Sequence, residues 1–283
     1  MKFKRTLLFL LLTTPAFIVH AQSYFLLPEN FYVQKGQKIE LRLLQSDDFN
    51  KQSDFKFQAD KTAKFELYQG KKKIDLKPMA KDTGAVISMQ ASDDGLALID
   101  MVTTTTSNEM SRAKFLRGLD EGDPDNIAEK VKNSNQLYYK ETYTSYMKTL
   151  LPVEKNEGKV FEKPQGDEFE IVIQQNPYKF NYGDDITGEI FFQGKPLANV
   201  EVDLFVRTVN GLVFPQKLSS DAGGLIYFKL SREGVYILRA KHFIVSKDKN
   251  ADFQSWRATY SFAFSSSNEM PNTYREFGMG NKH

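Results

Sequence analysis

The chain contains no cysteine. Disulfides, thiolate metal ligands, a cysteine nucleophile and a lipid-modified cysteine behind a leader are therefore all excluded. Histidine is nearly as scarce, with only His20, His242 and His283. There is no Gly-x-Ser-x-Gly elbow, no glycine-rich phosphate loop and no His-Glu-x-x-His pair, so the common nucleophilic, nucleotide-dependent and zinc-hydrolase chemistries lack their parts. A glycosidase-type carboxylate pair needs only two acids about 5–10 Å apart and leaves no motif. Asp184 and Asp185 are the first candidates for it, but Gly183 beside them reads as a turn. The expectation is a protein that is not an enzyme.

A strong charge of either sign is also missing. Residues 1–21 combine a basic head (Lys2, Lys4, Arg5), the apolar run Leu7 to Leu12 and the small-residue ending Val19-His20-Ala21. That is the pattern of a cleaved secretory signal, with Gln22 as the first mature residue. The apolar run is broken by Thr13, Thr14 and Pro15, short of the roughly 20 residues that span a bilayer. Removing it leaves 35 Lys and Arg against 36 Asp and Glu, so despite a sequence pI of 8.4 there is no basic footprint for nucleic acid or an anionic membrane. The reading is a periplasmic or secreted chain without membrane insertion after cleavage.

What is present is β pattern. Between Gln22 and about residue 107, Lys38 to Leu44, Lys64 to Tyr68, Ala85 to Gln90 and Leu96 to Val102 alternate apolar and polar residues, with Gly36, Gly70, Gly84 and Gly95 at the turns. Lys71-Lys72-Lys73 after Gly70 reads as a solvated hairpin tip. From 167 to 265 the alternation resumes through Phe169 to Ile173, Ile186 to Phe192, Gly194-Lys195-Pro196-Leu197, Val200 to Val206, the turn Asp221 to Gly224, Gly234 to Ala240 and Trp256 to Phe264. The predicted fold is mainly β: two antiparallel β-sandwich domains, immunoglobulin-like or transthyretin-like, joined by a short helical segment. Residues 153–166 read as a linker and 266–283 as a polar, mobile tail.

The helical segment is placed at 108–152. Asp123-Pro124-Asp125 fits a helix start, and the cluster Asp120, Glu121, Asp123, Asp125 is weighed as capping against calcium, since it lacks EF-hand spacing. In Leu137 to Leu151, Tyr139, Tyr143, Tyr146 and Leu150 fall on one face of a helix. They are read either as a packing stripe or, together with Trp256, as a ring-stacking platform for a sugar or other flat ligand.

The order of several pieces resembles one exported bacterial family. They are Tyr24-Phe25-Leu26-Leu27-Pro28 behind the signal, Tyr143 to Leu151, Ile171 to Pro177, Gly194-Lys195-Pro196-Leu197, Asp221 to Gly224, Gly234-Val235-Tyr236 and the last strand with Trp256. The family is the DUF4198 domain-of-unknown-function group, often described as a periplasmic component of cobalt or nickel uptake. The resemblance implies a periplasmic binding or accessory protein that receives a small solute or a divalent transition metal, nickel or cobalt, and passes it to a membrane transport component. Where members carry a His just after the signal, this chain has Gln22 or Ser23, which leaves His242 as the metal-ligand candidate, also read as a structural His bonded to a loop carbonyl. The alternative is a carbohydrate-binding or adhesion module of the cell envelope.

Overall fold

The computed structural model of the chain describes residues 23–82, 84–119 and 126–266. The expected signal 1–21, the acidic cluster Asp120 to Asp125 and the tail from 267 with His283 lie outside the described residues.

The N-terminal half contributes strands β1 (Ser23–Pro28), β2 (Lys38–Ser46), β3 (Ser53–Asp54), β4 (Thr62–Gln69), β5 (Lys72–Asp75), β6 (Ile87–Gln90), β7 (Gly95–Thr103) and β8 (Thr106–Ser111). Two short helices follow, α1 (Arg112–Gly118) and α2 (Ile127–Lys132), and then β9 (Tyr138–Val153). The C-terminal half carries β10 (Phe169–Ile173), β11 (Asp185–Phe192), β12 (Lys195–Pro196), β13 (Glu201–Arg207), β14 (Val213–Ser219), β15 (Leu225–Lys229), β16 (Gly234–Val245) and β17 (Phe253–Phe264). The chain is mainly β and sandwich-like.

One sheet runs through both halves, in the order β14-β13-β16-β17-β9-β7-β4-β5, with β8 also on β9. The halves meet where β9 and β17 pair in parallel, from Glu141 beside Phe253 to Thr149 beside Ser261. A four-stranded sheet of β1, β2, β3 and β6 covers one face, burying Leu26, Leu41, Leu43, Phe65, Ile99, Met147 and Leu151. A second sheet of β10, β11, β12 and β15 covers the other, burying Phe169, Ile190, Ile226, Tyr236, Trp256 and Phe262. Each such side chain contributes about 1.5–3 kcal/mol relative to exposure.

The outer strand β1 reaches across the junction, since Phe25 and Leu27 pack on Val235, Ile237 and Ala263. Its free backbone acceptors are met by side chains of β17: Thr259 Oγ1 donates to the Tyr24 carbonyl at 2.9 Å and Ser261 Oγ to that of Leu26 at 2.7 Å. No described helix is long and apolar enough to cross a membrane.

Two expectations are corrected. Leu137 to Leu151 is not a helix, because Tyr138–Val153 forms the 16-residue strand β9. Tyr, Thr and Val fit a pleated surface better than a helix, and residues 145–153 are buried without interruption, as in a strand covered on both faces. The helical part of 108–152 shrinks to α1 and α2, which pack Phe115, Ile127 and Val131 against Tyr139 and Phe253. The expected linker 153–166 is also partly built in: Phe161 is buried in the core, and the Glu157 carbonyl accepts the Leu96 amide at 2.7 Å.

The turns behave as read. Gly70 (φ +59°) turns β4 into β5 before the exposed lysines. At Asp221 to Gly224 the Asp221 carboxylate accepts the Leu225 and Gly223 amides at 2.9 and 2.8 Å, and these bonds hold its carboxyl below the ordinary value.

Candidate functional site

A cavity of about 270 Å³ lies between the covering sheet and the central sheet. Tyr24 from β1, Leu43 from β2 and Phe55 form one wall; Met101 and Thr103 from β7 and Tyr143 and Met147 from β9 form the other. Thr62 and Thr106 close the sides, and Lys56, Gln58 and Lys61 stand at the mouth. The strand period explains the wall, because Tyr143 and Met147 are an even number of residues apart and share a face of β9. The Tyr24 and Phe55 rings lie 4.4 Å apart. Burial, ahead of the neighbouring Tyr143, pushes the Tyr24 phenol up to about 12, so at neutral pH it is an uncharged donor and acceptor.

The wall is braced from the side, on the same face of the sheet. The Arg257 guanidinium sits 4.2 Å over the Tyr143 ring and is anchored by Glu141 at 2.8 Å. The same Glu141 oxygen accepts a hydrogen bond from Ser255 Oγ. Glu141 and Arg257 side chains are 2% and 11% exposed, so this is a desolvated pair and not a surface bridge. The groove therefore offers aromatic faces, two thioethers, threonine hydroxyls and two lysines, and none of its lining residues is acidic.

On the opposite face of the central sheet lies a cluster of buried charges. Lys64 of β4, Asp100 of β7 and Lys148 of β9 come together under the start of β10, where Glu170 lies in the strand and Asp167 just before it. Lys64 Nζ is 2.6 Å from Asp100 and in direct contact with Asp167; Lys148 contacts Glu170 directly and lies 3.5 Å from Asp167. Glu170 also accepts the Gln165 and Gly166 amides at 2.8 and 3.1 Å. Asp100 is fully buried, and burial pushes its carboxyl up to about 7 against the pull of Lys148 and Lys64.

The ring-stacking candidates are dispersed. Tyr143 lines the groove; Tyr139 is buried against Phe115 and Phe253, at 5.6 and 5.7 Å. Tyr146 and Trp256 are buried in the core on the far face of the sheet. His242 packs among Phe192, Trp256 and Phe169, with ring centroids 4.6, 5.6 and 6.2 Å away. Among the described residues no group of three or more His, Asp and Glu is arranged to hold a metal, so the surroundings of His242 do not fit a nickel or cobalt site. Asp184 and Asp185 serve a turn and an ion pair: Asp184 accepts the Asn181 amide at 2.7 Å and Asp185 meets Lys229 at 2.9 Å.

Sequence reading missed Phe55, Met101, Met147, Lys56 and Lys61 as neighbours, and all five charges of the cluster, four of them buried and Lys64 partly so. Tyr143, named as a ring-stacking candidate, and the aromatic start at Tyr24 were the sequence signals for the groove. The cluster had its own signal, since a Lys or Asp at a core-facing position of an apolar strand, as at Asp100 and Lys148, demands a partner.

Among curated proteins, none matches the chain. Solved structures that match include Salmonella alpha-2-macroglobulin reacted with methylamine, 11% identical with a TM-score of 0.22. That match covers 85% of this chain and 15% of the other. A tetra-tandem repeat in the extending region of a large adhesion protein is 11% identical with a TM-score of 0.21, over 85% and 49% of the two chains. The D0-D1 domain of Intimin is 11% identical, also at 0.21, over 86% and 98%. The chain thus spans less than half of the first two, and scores this low assign no function. The family described as "Domain of unknown function (DUF4198)" matches residues 19–244, a span that runs from before β1 almost to the end of β16, and the chain belongs to that family.

Proposed function

We propose that the chain is an exported binding or accessory protein that holds a small organic anion with an apolar or aromatic body in the groove between β1, β2 and the central sheet. The groove's own chemistry carries this reading: rings and thioethers inside, Lys56 and Lys61 at the mouth, and no acid among its lining residues. A cavity walled mainly by apolar groups with a few placed polar ones is the usual form of a small-molecule site. The body of the ligand would lie against Tyr24, Phe55 and Tyr143, with its anionic end toward the lysines. Export to the periplasm is the setting in which the signal-like segment 1–21 supports such a role, and delivery to a membrane component is the step that would follow.

Calorimetric titration of the folded chain tests this with 4-hydroxybenzoate, hexanoate, methyl glucoside, nickel and cobalt as probes. The two carboxylates are expected to bind. Reversing both mouth charges (Lys56→Glu with Lys61→Glu) should weaken them about five- to tenfold at low salt, in line with exposed pairs worth up to about 1 kcal/mol each. Binding of the metals or the glycoside alone, or carboxylate binding indifferent to both the charge reversal and Tyr143→Ala, would refute the proposal.

A further inference from the structure

We infer that Lys64 and Asp167 are joined after folding by an internal amide bond, formed with the help of Asp100, which ties the central sheet to the segment that opens the second covering sheet. The geometry sets these groups apart from an ordinary buried ion pair. Lys64 Nζ touches the Asp167 carboxylate and lies 2.6 Å from Asp100, so nucleophile, electrophile and a proton carrier share one desolvated site. Asp167 and Asp100 side chains are 4% and 0% exposed. Asp167 Oδ2 and Asp100 Oδ1 are buried without a hydrogen-bond partner among the described residues, while Asp100 Oδ2 faces the Lys64 ammonium.

The second pair in the cluster is unsuited to the reaction. Glu170 receives two backbone amides, one on each carboxylate oxygen, and the Lys148 ammonium besides, so its carboxyl is held in place on both sides. Among the described residues no backbone amide is seen on Asp167, whose Oδ2 has no hydrogen-bond partner, so its carboxyl is the better electrophile. Fixing amine and carboxyl in contact supplies the high effective concentration that lets an otherwise slow condensation proceed. Replacing a buried ammonium and a buried carboxylate by one amide also removes two desolvated charges. What remains is Lys148 with Asp100 and Glu170.

The step balances without a co-reactant. Burial alone would lower the Lys64 pKa, but Asp100 and Asp167 outweigh it and raise it, so a base in contact must take the ammonium proton. Asp100, pushed up to about 7 by burial, takes it and passes it to an Asp167 oxygen. The neutral amine attacks Asp167 Cγ, forming the C–N bond. Asp100 then removes a second proton from nitrogen and delivers it to the departing oxygen, the C–O bond breaks, and one water leaves. Ammonium plus carboxylate thus give amide plus water, and Asp100 ends as it began. The Lys64 side chain is 19% exposed, which gives the water an exit. The link joins residues 103 positions apart.

Intact-mass spectrometry of the full folded chain, followed by tryptic mapping, tests this. The wild-type chain is expected to be lighter by one water than its sequence requires. No cleavage should occur after Lys64, and a branched peptide should join the Lys64 and Asp167 segments. Lys64→Arg, which keeps the positive charge in the cluster, should have its full sequence mass, and Asp100→Asn should be mostly unlinked. A cooperatively folded wild type with its full mass, or a missing water that maps to any other pair, overturns the inference. Linkage in Asp100→Asn as complete as in the wild type overturns the role of Asp100.

Discussion

Replacing Glu141 by Gln changes one buried charge and almost no volume. Glu141 accepts hydrogen bonds from Ser255 Oγ and, at 2.8 Å, from Arg257 Nη2. Arg257 Nε is buried with no partner among the described residues, so the guanidinium depends on this carboxylate for its countercharge. Gln keeps an acceptor for Ser255 but leaves Arg257 desolvated and uncompensated. Breaking a buried pair from one side costs about 3–5 kcal/mol. With Arg257 11% exposed and one acceptor retained, the lower end, about 3 kcal/mol, is expected. For a chain of this size that corresponds to about 6–12 °C in melting temperature. Urea unfolding followed by the fluorescence of Trp256, the single tryptophan, measures it directly. Removing both charges together (Glu141→Gln with Arg257→Met) should recover at least half of the loss, because no orphaned ion remains. A single variant within about 0.5 kcal/mol of the parent, the range of neutral surface changes, would refute the view that the groove wall rests on a desolvated pair.

Gly234→Ala should be far worse than Gly36→Ala. At Gly234 (φ +150°) an added Cβ would stand 2.1 Å from the Arg207 carbonyl oxygen, whereas at Gly36 (φ +87°) it meets nothing within 4 Å. Losses of more than about 4 and about 1–2 kcal/mol respectively are expected from urea midpoints. Ser261→Ala strips the Leu26 carbonyl of its hydroxyl donor and should cost about 1–3 kcal/mol, measured the same way. Trp256 is 2% exposed, so its emission should be blue-shifted and shielded from acrylamide until the chain unfolds; strong quenching in the native state would contradict its place in the core. Phe65→Ala empties a fully buried site of the first core, with an expected loss of about 3–5 kcal/mol in the melting transition.

Local chemistry was legible in the residues themselves. The alternation in Val200 to Val206 and Lys64 to Tyr68, and the turns at Gly70 and Asp221 to Gly224, follow from backbone preferences that act within a few positions. They gave a mainly β, sandwich-built chain without reference to anything distant. The tyrosines of β9 misled for a local reason as well: spacings of four and three fit a helical face, and a strand buried on both sides loses the alternation that would have identified it.

Long-range pairing was beyond sequence reading. That Glu141 to Thr149 would lie parallel to Phe253 to Ser261, joining both halves in one sheet, depends on how two covering sheets pack on its opposite faces. No pattern within either segment encodes its partner. The same holds for both sites. Tyr24, Phe55 and Tyr143, like Lys64, Asp100 and Asp167, are ordinary residues in sequence and acquire a chemistry only by being brought together and cut off from water. Composition and periodicity marked most of the segments that became strands, β9 excepted, and the motifs that were missing; packing alone decided which side chains would meet, because burial and proximity are properties of the assembled layers.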